Sequence, residues 1–84
     1  MKKFFLDATM MEHPEPLERA IAIIRQLDTQ SYLYMVHRKN PIPLISLAQE
    51  HNLGHISRND GDLWHIVITP NSQIDPSELL EMKE

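Results

Sequence analysis

Four residues of this chain have the chemistry to hold an anion together: His13, His37, Arg38 and Lys39. Imidazole, guanidinium and ammonium are the donors that carboxylates and phosphates pair with. Each group stands beside a proline pair able to open a helix, His13 before Pro14 and Pro16, the basic run before Pro41 and Pro43. Helix starts leave main-chain amides unpaired and carry the positive end of the dipole, so the pattern points to a small-anion site. Glu12 and Glu15 offset part of that charge, and the prolines remove some donors. The plainer reading is a solvated polar rim.

Other chemistry is less well supported. There are five histidines. His51 and His55 have metal-ligand spacing on a helix, but Gly54 interrupts it. His13 with His37 is the better pair, with Glu12 or Glu15 as a third ligand, and nothing fixes their surroundings. We therefore assign no metal and no cofactor. The serines lie in no activating motif, and two glycines cannot build a phosphate loop. Asp60 and Asp62 read as turn formers rather than paired catalytic carboxylates. The absence of cysteine excludes thiolate catalysis and disulfides. A binding protein is favoured over an enzyme.

The elements that must position these residues follow in order. Lys3 to Asp7 reads as a strand, with Phe4 and Leu6 on one face and Phe5 on the other. The prolines then open a helix to about Asp28, whose stripe is Leu17, Ala20, Ile21, Ile24 and Leu27. Ser31 to His37 is apolar on both faces, a central strand. A second helix carries Leu44, Leu47 and Ala48 and ends near Asn52, with Gly54 as its stop. Strands His55–Arg58 and Leu63–Thr69 flank Asn59-Asp60-Gly61-Asp62, a tight hairpin. Asp75-Pro76-Ser77-Glu78 has the makings of a capped terminal turn.

The order β-α-β-α-β-β predicts an α+β fold, a two-layer α/β sandwich. Right-handed crossovers place both helices on one face of a four-stranded mixed sheet of order 1-2-4-3. Residues 1–70 form one domain and residues 71–84 a polar, acidic tail with a short helix. Leu33, Met35, Trp64, Ile66 and Ile68 should face the helices, leaving Phe5, Tyr32, Tyr34, His65 and Val67 on the far face. Aromatic residues with polar tips suit a protein contact. Alternatively the tail covers that face with Leu79 and Leu80, or the strand faces are inverted.

Charge narrows the partners. Of the net charge of −4, residues 70–84 carry four acids against one lysine, leaving the body nearly neutral. Nucleic acid is disfavoured, because phosphate binding needs a basic face. No apolar run approaches the roughly 20 residues of a membrane span, and Phe4-Phe5-Leu6 stops too soon for a leader. A small chain without disulfides suits the cytoplasm.

At Leu6-Asp7-Ala8 and Pro14-Glu15-Pro16-Leu17 the chain resembles the TusA/SirA-like superfamily of small sulfur carriers, in which a Cys-Pro-x-Pro motif opens the first helix. Arg38, Pro41, Pro43 and Leu44 look closer to an uncharacterised branch that lacks the cysteine. The resemblance spans about Lys3 to Thr69 and implies the same sandwich fold. His13 stands where the sulfur carriers have cysteine, and imidazole cannot carry a persulfide. The resemblance thus implies an accessory module that docks on a protein partner or a second copy. The alternative is ligand handling, of a small anion or a metal, or catalysis at the helix-start edge, with His13 as acid–base group and Arg38 holding an anion.

Overall fold

The structure, a computed structural model, describes residues 1–82. Its elements are β1 (Lys2–Asp7), α1 (Glu15–Ile24), β2 (Ser31–His37), α2 (Ile42–Glu50), β3 (Gly54–Asn59) and β4 (Trp64–Thr69). A 3-10 turn follows at Pro76–Leu79. The sheet has the order β1-β2-β4-β3. β1 runs parallel to β2, and β4 is antiparallel to both β2 and β3. Both helices pack on one face, so the α+β sandwich expected from the element order is the fold of this chain.

Three boundaries differ from expectation. α1 stops at Ile24, because the amides of Gln26 and Leu27 turn back to the carbonyls three residues before them. Asp28 then accepts from the Gln30 amide and the Ser31 hydroxyl, and this turn launches β2. Gly54 is not the stop of α2; it opens β3. The left-handed position is Asn52, at φ 56°, while the Leu53 amide bonds the Ala48 carbonyl and the Asn52 amide that of Gln49. These two bonds form a Schellman closure, in which asparagine does what glycine more often does. The hairpin loop spans Asp60 to Leu63, closed by the Asp60 amide on the Leu63 carbonyl, with Gly61 at φ 110°.

The helix-side core is Leu6, Leu33, Met35, Ile66 and Ile68 from the sheet, met by Ala20, Leu44 and Ala48. Ala20 and Ala48 are fully buried, which lets each helix backbone settle close to the sheet. Each large side chain buried here contributes about 1.5–3 kcal/mol relative to exposure.

The other face is not bare. Tyr32, Tyr34 and Val67 form a second buried cluster, with Val36, Ile56, Leu79 and Leu80 packed against it. The C-terminal segment crosses this face, as in the second of the three alternatives weighed for it. Its root is fixed: the Thr69 hydroxyl donates to the Ser31 carbonyl and accepts the Asn71 amide, and the Asn71 side chain donates to the Thr29 carbonyl. Asp75 caps the 3-10 turn by accepting the Ser77 amide at 3.0 Å.

On the outer edge of the sheet, β1 places the Lys2 ammonium 4.8 Å from the centre of the Phe4 ring and the Lys3 ammonium 5.7 Å from that of Phe5.

Candidate functional site

Because β1 and β2 are parallel, their ends and the starts of both helices gather on one edge of the sandwich. A cleft of about 660 Å³ opens there, and His13, His37, Arg38 and Lys39 all line it. Its walls are apolar, formed by Met11, Leu17, Met35 and Leu44, with Glu12 at the rim. The topology therefore brings together all four of the candidate anion-binding residues.

The loop that carries the cations is held at both ends. At one end the Arg38 amide donates to Nδ1 of His37 at 2.8 Å. At the other the Ser57 hydroxyl on β3 donates to the Asn40 side-chain oxygen at 2.7 Å. Since Nδ1 accepts, the proton of neutral His37 sits on Nε2, which is a donor. Burial, then the nearby charges of Lys39 and Arg38, hold the pKa of His37 below its ordinary value. Arg38 and Lys39 are both exposed, and among the described residues neither has a carboxylate within ion-pair distance. Glu15 is drawn away by Arg19, at 3.1 Å on the next helical turn, which leaves Glu12 as the acid at the rim.

One expected contribution fails. In α2 the Ile42 amide is already bonded to Asn40, the Leu44 amide to Pro41, and Pro43 has none. In α1 the Glu15 amide bonds the Glu12 carbonyl and Pro16 has none. Local turns and prolines use up the donors that a bare helix start would offer, so an anion here must be met by side chains. The metal alternative fares no better: among the described residues no group of three His, Asp or Glu side chains could hold an ion. His51 ends α2 and His55 lies on β3, its Nδ1 beside the Leu53 carbonyl.

The four residues assigned to an outer contact surface do lie on the far face, but only Phe5 is open, at 55% exposure. Tyr32 and Tyr34 are buried beneath the C-terminal segment, and the His65 side chain is 14% exposed. The bare surface expected there is corrected accordingly. In its place the Tyr34 hydroxyl meets Nδ1 of His65, Nε2 of His65 meets Asp60, and the Glu81 amide donates to the same hydroxyl. Lys3 closes on Glu81 at 2.7 Å. No local motif announced these contacts. Lys3 and Glu81 stand 78 positions apart, and only the alternation of Tyr34 and His65 with the core residues placed them on one face.

Among the described residues no helix is long and apolar enough to cross a membrane. Comparison of the chain with protein-family models, with curated proteins and with solved structures finds no match.

Proposed function

We propose that this protein is a small accessory module that binds without covalent chemistry, and that its cleft takes a ligand with a carboxylate on an apolar body. The observation that carries this reading is the pairing of opposites in one cleft: Arg38 and Lys39, which among the described residues have no acid within ion-pair distance, share its lining with the apolar side chains of Leu17, Met35 and Leu44. A compact oxyanion such as phosphate would want several converging main-chain donors, and the helix starts offer few. A carboxylate needs only a guanidinium fork or an ammonium, and its chain would displace water from the apolar wall. His13, exposed at the mouth, and the Nε2 donor of His37 add polar contacts. This is the ligand-handling alternative weighed from the sequence, without sulfur transfer, in a cytoplasmic protein.

Titration of the isotope-labelled protein with octanoate, octanamide and inorganic phosphate tests the reading. Saturable shifts at His37, Arg38 and Leu44 with octanoate, and weaker ones with the other two, are the expected result. No shifts with any of the three would refute it.

The docking role is favoured by a different observation, the exposed ring of Phe5 on a face where Tyr32 and Tyr34 are covered. It would seat a protein partner along β1. Sedimentation of Phe5→Asp beside the parent protein tests it: an unchanged profile, together with unchanged recovery of partners, counts against this contact.

A further inference from the structure

We infer that the sheet face beneath the C-terminal segment is a peptide-recognition groove. The chain's own Leu79-Leu80-Glu81 fills it in cis, and it fits, in trans, a partner segment with two adjacent aliphatic residues followed by an acid. This inference does not depend on the cleft at the helix starts.

Three features of the groove meet three consecutive residues. The apolar floor of Tyr32, Tyr34 and Val67 receives Leu79 and Leu80. The Tyr34 oxygen accepts the Glu81 amide at 2.9 Å, and Lys3 binds the Glu81 carboxylate. The hydroxyl is aimed by what lies behind it. His65 Nε2 is committed to Asp60, so Nδ1 takes the Tyr34 proton and leaves the phenolic oxygen as an acceptor. An acceptor fixed in this way reads a main-chain N–H, whatever side chain accompanies it. Main-chain recognition, side-chain pockets and a charge at one end together are how extended peptides are bound.

The occupant holds on lightly. Among the described residues, the main chain of 76–82 makes one hydrogen bond to the sheet, at Glu81, its other bonds being internal to the turn. The ion pair to Lys3 is solvent-exposed. No strand ladder is broken when the segment lifts away. The root at Thr69–Asn71 stays anchored to β2 and to Thr29, so the segment swings about a fixed point next to its own groove. That tether favours a partner's segment over exchange with a second copy, and the positive Lys3 asks for an acid in it.

The full chain can be tested by amide exchange and by titration with the acetylated, amidated peptide Ile-Asp-Pro-Ser-Glu-Leu-Leu-Glu-Met, which copies residues 74–82. The Glu81 amide should exchange about a hundredfold faster than those of Met35 and Val67, and the peptide should shift Lys3, Tyr34 and Val67 saturably. In a Glu81→Lys chain, whose own segment is repelled by Lys3, the peptide should bind about tenfold tighter than to the parent, and adding Lys3→Glu to that chain should abolish the gain. Exchange of Glu81 at the rate of the core would mean that the segment leaves only on global unfolding, and would overturn the inference. So would peptide binding to the Glu81→Lys chain that is indifferent to Lys3→Glu. A doubled mass in sedimentation, abolished by the peptide, would give the groove to a second copy instead and overturn the assignment to a partner.

Discussion

The hydroxyl of Tyr34 lies 2.8 Å from Nδ1 of His65, 31 positions away in sequence but on the neighbouring strand and the same face of the sheet. Deleting that oxygen leaves His65 Nδ1 and the Glu81 amide without their partner at once. Tyr34→Phe should therefore cost about 1–3 kcal/mol, the usual penalty for a stranded partly buried polar group. For a domain of this size that is a fall in Tm of several degrees, about 4–8 °C per kcal/mol. Urea and thermal unfolding measure it, and a neutral result would show that water replaces the hydroxyl.

His37 gives a pH dependence of definite sign. Its folded pKa lies below the ordinary 6.5, through burial first and then Lys39 and Arg38. As pH falls below 6.5 the unfolded chain takes up the proton before the folded one does, so this stabilisation is present above that pH and is lost on acidification. Protonation also ends the acceptance of the Arg38 amide at Nδ1. His37→Gln should remove this part of the slope from denaturation curves between about pH 5 and 7. An imidazole titration above 6.5 in the unliganded protein would contradict it.

Three carboxylates act further into the acid range. Asp60 is held below its ordinary 3.8 by the Leu63 amide, then by His65 and the Asp62 amide. Asp7 is lowered by Thr9, and Asp75 by Ser77. Each lowered carboxylate contributes stability above its unfolded pKa that is lost as pH falls through the folded value. Stability should therefore drop below about pH 4, and Asp60→Asn should flatten the drop. The measurement is the urea midpoint between about pH 2 and 5.

Arg38→Ala and His13→Ala separate binding from folding. Both side chains are exposed, so each change should move stability by less than about 0.5 kcal/mol. Losing the guanidinium should weaken a carboxylate ligand about tenfold or more, as expected for a charge-assisted contact. Losing His13 should have a smaller effect. Calorimetry with octanoate measures both, and equal affinity in Arg38→Ala would move the anion to Lys39.

The fold and the gathering of His13, His37, Arg38 and Lys39 could be read in advance, because alternation and proline placement are local signals. Parallel β1 and β2 then force both helix starts to one edge. The far face could not be settled in this way. Leu79 and Leu80 are two residues, too few to show a period, and the contact of Lys3 with Glu81 joins opposite ends of the described chain. The state of the helix-start amides is not legible in the sequence for a related reason. Pro43 and Pro16 could be seen to remove donors, but the bond from Ile42 to Asn40 depends on a turn whose geometry composition does not specify. Asn52 takes the left-handed position that closes α2, and Gly54, two residues on, already belongs to β3.

The lysines at the rim of β1 matter beyond the folded monomer. Phe4-Phe5-Leu6 is a short apolar run, and it sits where hydrogen-bonding groups have no neighbouring strand. Lys2 and Lys3, each poised over one of those rings, put like charges face to face whenever two such borders approach. Acetylating or neutralising them would leave the interior untouched yet remove that repulsion, and light scattering should then rise at high protein concentration.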